Sequence, residues 1–319
     1  MLDYTIRRLI LLVPTLIAGS MVLFFSMQLL PPRDAIDLQF PGANIEEEEE
    51  AKAKLRELYG LDRPLFIQYL DWAKGFVTGD WGVSLHSRRP ISDELKHRIP
   101  VSMELSLIGL VFTWVISFPL GIVSAVWQDR APDYVLRTTA YALDAVPSFL
   151  VGILLLTYLA VEYRWAPPTS FSHLWDDPMR HIRIMLLPTL VVGVGAVGSL
   201  IRFTRTFMLE VLREDYIRTA RAKGLSERAV LFRHAMRNVS LPFITVLGAQ
   251  VPALLTSSVI IENLFSLPGM GRYTVAAAVQ LDYPVVMTTT MFFAVIILVT
   301  QLITDLSYAW ADPRVSYGR

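Results

Sequence analysis

Residues 184–208 read IMLLPTLVVGVGAVGSLIRFTRTFM. Two folds compete for this stretch. Gly193, Gly195 and Gly198 spell G-x-G-x-x-G, a turn that can seat a dinucleotide pyrophosphate at a helix N-terminus. That reading needs a strand before the glycines, a helix after them and an acid about 20 residues further on. The 25 residues are instead almost continuously apolar. That is long enough to cross the roughly 30 Å hydrocarbon core of a bilayer. Pyrophosphate has no place there. The glycines are therefore read as close-packing positions, with Gly195 and Ser199 at small-xxx-small spacing.

Five other stretches have the same character: 9–30, 101–128, 134–161, 239–265 and 285–308. The first follows Arg7 and Arg8, as a signal peptide would. Its 22 residues exceed the 7–15 of a typical h-region, and no A-x-A-like site follows, so it is read as an uncleaved span. Charged residues are 18% of the chain and the mean hydropathy is +0.45. The 29 Lys and Arg balance 29 Asp and Glu. This excludes a strongly basic nucleic-acid binder and an acidic solvating chain. The absence of cysteine excludes disulfides, thiolate metal sites and cysteine nucleophiles within the chain. The fold class that follows is an all-α integral membrane protein with six transmembrane helices.

Six spans put both termini on one side. With that side cytoplasmic, the inside segments hold 15 Lys and Arg in about 60 residues. The outside segments hold 14 in about 110, ten of them within 31–100. The positive-inside rule supports this orientation.

Two loops are large. In 31–100, Glu46–Glu50 and the following AKAKLREL read as helix, with Glu48/Lys52 and Glu50/Lys54 as i,i+4 pairs. Leu55, Leu58, Leu61, Leu65, Phe66, Tyr69, Leu70, Trp72, Phe76 and Trp81 supply apolar surface for a small helical insertion between the first and second spans. The second loop, 202–238, is basic. Glu210 to Lys223 has no Gly or Pro and reads as helix. Gly224 breaks it, and Ser226 is placed to N-cap a second helix. A helix–Gly–helix suits docking into a partner's cleft; an amphipathic helix on anionic lipid suits the pattern equally.

No P-loop, G-x-S-x-G or H-E-x-x-H is present. The five histidines show no ligand spacing. No catalytic, cofactor-binding or metal-binding residue is expected, and the chain reads as a non-enzyme. Asn238-Val-Ser240 spells a glycosylation sequon on the inside face, where it has no use. Glu104, Asp144, Glu262 and Asp305 fall within or at the ends of spans. A charge at mid-bilayer costs about 3 kcal/mol on insertion scales, so such acids face a bundle interior or cavity. Asp144 precedes Pro147 by three residues, and Pro147 should kink the third span. Pro119, Pro188 and Pro252 make three other spans irregular in the same way. Asp144, Pro147, Gln250, Ser257 and Glu262 are the residues expected at a translocation pathway or gate. Asp144 would attract a substrate's amino terminus there. A capping or helix-pairing role competes at Asp144, and a structural role at Glu262 and Asp305.

Four blocks carry a resemblance. Asp215-Tyr-Ile-Arg-Thr-Ala-Arg-Ala-Lys-Gly-Leu-Ser226 resembles the coupling loop of bacterial ATP-binding-cassette (ABC) importer permeases, whose general form is E-A-A-x-x-x-G. Ala220 and Gly224 match that form, while Arg218 and Thr219 stand where Glu and Ala would be. The peptide/nickel branch shares the departure as D-Y-x-R-T-A-x-A-K-G-L. Gly79–Ser84 resembles that branch's GDxGxS segment. Glu262–Arg272 resembles its E-x-x-F-x-x-P-G-x-G segment, and Asp305–Arg314 its D-x-x-Y-x-x-x-D-P-R ending. With the long loop after the first span, the chain resembles the B-type permease subunit of the oligopeptide/dipeptide/nickel importers.

The resemblance implies a type I ABC importer permease. Its parts would be an N-terminal span at 1–30, an extracytoplasmic helical insertion at 31–100, and a five-helix core at 101–319 carrying the coupling loop at 209–238. It implies a second, similar permease, two cytoplasmic ABC ATPases, an extracytoplasmic solute-binding protein and membrane lipid as partners, with no nucleic acid. ATP and magnesium would sit on the ATPases, with no cofactor in this chain. The location implied is the bacterial plasma membrane, with both termini cytoplasmic. Tyr216, Arg218, Thr219, Ala220, Arg221, Ala222, Lys223, Gly224, Leu225 and Ser226 would meet an ATPase. Ala220 and Ala222 would allow close approach, and Arg221, Lys223 and Arg228 would reach acidic or polar groups. The cargo implied is di- and oligopeptides. Nickel chelates or oligosaccharides on the same machinery are the nearest alternative. A stand-alone secondary transporter is a more distant one, since no inverted internal repeat is seen.

Overall fold

The computed structural model describes residues 2–29, 63–168 and 170–311. The acidic helix expected around Glu46–Glu50 and the end of the Asp305–Arg314 block lie outside these residues. Ten α-helices account for most of the described chain: α1 (Leu2–Leu29), α2 (Leu65–Thr78), α3 (Ile91–Val126), α4 (Ala131–Ala145), α5 (Ser148–Tyr163), α6 (Pro178–Leu212), α7 (Asp215–Ala222), α8 (Met236–Leu264), α9 (Met270–Val279) and α10 (Tyr283–Ala311). A single α-turn at Glu227–Ala229 and a π-helical turn at Val230–Ala235 lead into α8. Among the described residues the β-structure is one isolated bridge, Val83 to Pro90.

Among the described residues five helices are long and apolar enough to cross a membrane: those containing Arg8–Met27, Ile91–Val126, Pro178–Leu212, Pro242–Leu264 and Tyr283–Ser307. The expected third span differs from a kinked helix. It is the pair α4 and α5, bent by 87°. Pro147 lacks an N–H and drives the residue before it out of the α region. Val146 is extended at φ −107°, ψ 119°, and helix resumes only at Ser148. The two pieces hold 15 and 16 residues. At 1.5 Å per residue their contour is roughly 46 Å. Inclined equally to the membrane normal, they would still rise roughly 34 Å, enough for one crossing.

The described residues form two compact units. One is built on residues 101–268 and the last part of α10. Its spine is α6. Val191 and Val192 join Val101, Leu105, Leu254, Ile261 and Phe265 in one buried cluster. Val197 and Ile201 meet Ala140 midway, and Met208 joins Ile217, Ala220, Val230, Val239 and Phe243 near the basic loop. The three glycines of G-x-G-x-x-G are consumed by this packing. A Cβ on Gly193 would enter the Phe112 ring, one on Gly195 would stand 2.8 Å from Ser148 Cβ, and one on Gly198 would strike the Ala140 carbonyl. Thr113 Oγ1 donates to the Gly193 carbonyl at 3.0 Å and Ser117 Oγ to that of Val197 at 3.2 Å, stitching α3 to α6.

The other unit comprises residues 6–29, 63–100 and 269–298. Tyr69 on α2 is buried against Phe24, with ring centroids 5.6 Å apart, and its hydroxyl lies 2.9 Å from Ser20 Oγ. Trp81 packs edge-on to Phe292 at 4.7 Å. The Gly79–Ser84 block is a tight loop. Gly79 and Gly82 adopt φ +84° and +74°, conformations that L side chains resist. Asp282, 2% exposed, accepts from Ser84 Oγ at 2.5 Å, from the Leu85 N–H at 3.2 Å and from the His86 N–H at 3.3 Å. Arg98 covers the Tyr273 ring at 4.3 Å, and burial pushes the Tyr273 phenol up to about 12.

Candidate functional site

The α4–α5 break opens a cavity of about 1050 Å³ within the first unit. Asp144, Pro147 and Ser148 line it from the break, Gly195, Ser199 and Phe203 from α6, and Thr245, Gln250 and Ser257 from α8. The sequence places these groups for a physical reason. Pro147 forces the turn, and Gly195 lets Ser148 settle against α6. Asp144, Pro147, Gln250 and Ser257, four of the five residues expected at a pathway, thus share one cavity. Glu262 does not line it. It is fully buried on α8, where Ser258 Oγ lies 3.3 Å from Oε1, and its carbonyl accepts the Leu267 N–H at 2.9 Å.

Asp144 is not the open acid expected. Its carboxylate is paired with Arg202 of α6, whose guanidinium also lies 4.7 Å above the Tyr141 ring. The guanidinium offsets the charge of the carboxylate, the helix-pairing role that competes at Asp144. Gln250 is different. It is 9% exposed, and its Oε1 has no partner among the described residues. A buried orphan acceptor costs about 1–3 kcal/mol, which a donor on a ligand would recover.

A second cluster lies at the loop end. Asp133, fully buried in the first turn of α4, accepts from Arg205 through both oxygens, at 2.7 Å and 2.8 Å. Ser124 Oγ donates to it at 2.6 Å and the Asp129 N–H at 2.9 Å. Neither Asp133 nor Arg205 was marked by any sequence motif. Among the described residues no group of three His, Asp or Glu is arranged to hold a metal ion.

The basic loop begins where helix was expected to continue. α6 stops at Leu212, and Glu214 is extended at φ −68°, ψ 147°. Turning the chain here buries Ile217 and Ala220 against Met208 and Phe243, a gain local propensity does not report. α7 ends in a Schellman motif: the Leu225 N–H reaches the Ala220 carbonyl at 3.4 Å and the Gly224 N–H reaches that of Arg221 at 2.9 Å. The motif requires a left-handed residue, and Gly224 supplies it at φ +75°. Ser226 Oγ caps the next turn by accepting the Ala229 N–H at 3.4 Å. Tyr216, Arg218, Thr219, Arg221, Ala222, Lys223, Gly224, Leu225 and Ser226 are exposed. Ala220 is buried: its side chain packs into this chain's own core and sets how closely α7 approaches it. Arg221 is likewise engaged at home, by Glu227 at 2.8 Å.

A family profile described as binding-protein-dependent transport system inner membrane component matches residues 117–317, and its N-terminal companion matches residues 1–106. The chain is 37% identical over 320 residues to AppB, an oligopeptide transport system permease protein of Bacillus subtilis (strain 168), covering 99% of this chain and 100% of that one. It is 35% identical over 317 residues to GsiC, a glutathione transport system permease protein of Escherichia coli (strain K12), with the same coverage. A chain of the inward-facing MetNI methionine ABC transporter superposes with a TM-score of 0.56 at 13% identity, over 70% of this chain and 98% of that one. At that identity the likeness speaks to the fold alone.

Proposed function

We propose that this chain, which belongs to the family of binding-protein-dependent transport system inner membrane components and is a permease subunit of an ABC importer, passes di- and oligopeptides across the bilayer. ATP hydrolysis in such importers belongs to separate ATPase subunits, and a substrate-binding protein is the other partner the family implies. The finer assembly is part of the proposal: a second, similar permease, two ATPases carrying ATP and magnesium, and an extracytoplasmic solute-binding protein. So is the setting, a bacterial inner membrane with both termini cytoplasmic, the 31–100 insertion outside and the 101–319 core spanning. In this reading the exposed ridge from Tyr216 to Ser226 receives the motion of an ATPase. Lys223 and Arg228, whose side chains have no ion-pair or hydrogen-bond partner among the described residues, are free to meet its acidic groups.

The observation that carries the pathway is the cavity beside the α4–α5 break, where Asp144, Pro147, Gln250 and Ser257 come together. Its walls are mostly apolar, its acid is paired with Arg202, and Gln250 lines it with a buried acceptor that has no partner among the described residues. That combination suits peptide N–H groups better than a multiply charged chelate. Two relatives carry oligopeptide and glutathione transport in their names. Uptake of labelled tripeptides, a nickel–histidine chelate and an oligosaccharide into proteoliposomes holding the complete transporter tests it. Peptide uptake that falls several-fold in Gln250→Leu, with basal ATP hydrolysis unchanged, is the expected result. Chelate uptake without peptide uptake would refute the cargo.

A further inference from the structure

Arg202 and Arg205 stand one turn apart on α6, yet their partners, Asp144 and Asp133, lie at opposite ends of α4. The two acids are 11 residues apart in sequence, roughly 16 Å along the helix. Between them α4 and α6 touch backbone to backbone. A Cβ on Gly198 would collide with the Ala140 carbonyl and stand 2.5 Å from Asp144 Oδ1. α4 is therefore fastened to α6 at both ends and in the middle. The fastening at Asp133 also takes in Ser124 and the Asp129 N–H, so it anchors the α3–α4 turn. At its far end α4 stops. Val146 is extended, Pro147 has no N–H to give, and α5 departs at 87°. At the near end α6 runs into the basic loop through only Arg213 and Glu214.

We propose that Asp133 and Arg205 are positioning residues that make α4 and α6 one lever. A displacement of α7 enters α6 through the two-residue turn. The Arg205–Asp133 fork passes it to α4 without slip, and α4 delivers it to Asp144 and Pro147 at the cavity wall. The 146–147 break lets α5 stay behind, so the cavity changes shape. A bidentate guanidinium–carboxylate contact fixes direction as well as distance, which a single lysine contact does not. The proposal rests on the reading of 215–226 as the segment an ATPase moves.

The test uses the complete transporter in proteoliposomes and reads the ratio of ATP hydrolysed to substrate imported. Loss of assembled transporter lowers both and leaves the ratio, and binding of labelled peptide to the complex, measured alongside, separates a cargo defect such as that of Gln250→Leu from lost coupling. Arg205→Ala, and the neutral pair Asp133→Asn with Arg205→Gln, are expected to raise the ratio at least fivefold. The chain has no cysteine, so one pair can be added cleanly. Ala140→Cys with Val197→Cys, two positions in one buried cluster, is the pair to oxidise, and thiol titration confirms that the bridge between α4 and α6 has formed. The disulfide is expected to leave the wild-type ratio within twofold and to restore it in the Arg205 variants. A normal ratio in either Arg205 variant, or a disulfide that stops import, overturns the lever. If Arg205→Ala fails to insert, the neutral pair and the disulfide decide. Gly224→Val is the separate control: coupling unchanged there but lost in the Arg205 variants sinks the loop reading, and the reverse sinks the lever alone.

Discussion

Gly224 isolates a backbone effect from every other. An added Cβ there meets nothing within 4 Å, so a side chain brings no clash. What it brings is φ +75°, which costs an L-residue roughly 1–2 kcal/mol. A penalty of that size shifts a local equilibrium by a factor of about 5–30. Gly224→Val, β-branched and the least tolerant, should therefore open the Schellman turn in a large share of molecules. The transmembrane helices do not share the strain, so the thermal midpoint in detergent should move by less than about 2 °C. Gly224→Asn keeps the added volume but tolerates the left-handed region. The assay is substrate-stimulated ATP hydrolysis by the reconstituted transporter. Val should lose most of the stimulation and Asn should keep most of it. Equal, wild-type stimulation in both would show that the turn geometry is irrelevant to coupling. Equal loss in both would show that side-chain volume, and hence a partner surface, is what matters.

Three further outcomes follow from the packing. Gly198→Val should lower the thermal midpoint through overpacking worth about 1–3 kcal/mol, whereas Gly19→Val, with nothing within 4 Å of the added Cβ, should not. A matched drop at both positions would count against the α4–α6 contact. Asp282→Ala strips the acceptor from Ser84, Leu85 and His86, a loss of about 3 kcal/mol, and limited proteolysis should then cut between Ser84 and Arg89. An unchanged digest would mean that the loop is held by something else. Asp144→Asn should depress import of N-acetylated and free-amino peptides alike, because the carboxylate serves Arg202. A loss confined to free-amino peptides would show that it serves the cargo.

Length and hydropathy made the long spans legible, and α6 shows why: its glycines sit where neighbouring helices allow no side chain. Pro147 was legible as an irregularity but not as an 87° break. Pro188 and Pro252 carry the same local chemistry inside helices that continue through them, so tertiary packing decides between kink and break. The turn at Arg213 and Glu214 left no local trace, since its cause is the burial of Ile217 and Ala220 several residues on. Asp144, Gln250 and Ser257 were legible as cavity residues because polar groups in apolar helices must find a cavity or a partner. The Asp133–Arg205 fork was not, because both residues lie near a span end, where charge is ordinary. Asp282 was invisible for another reason: its partner Ser84 is 198 residues away.

That distance has a consequence for biogenesis. Ser84 and its neighbours emerge from the ribosome long before Asp282 exists. At roughly 5–20 residues per second, the 198 residues between them take roughly 10–40 s to make. For that interval the Gly79–Ser84 loop is without its acceptor. A nascent chain arrested before Asp282 should therefore expose this loop to proteases and chaperones, and release should protect it. The maturation of one short motif is thus timed by the synthesis of the helix that follows Asp282.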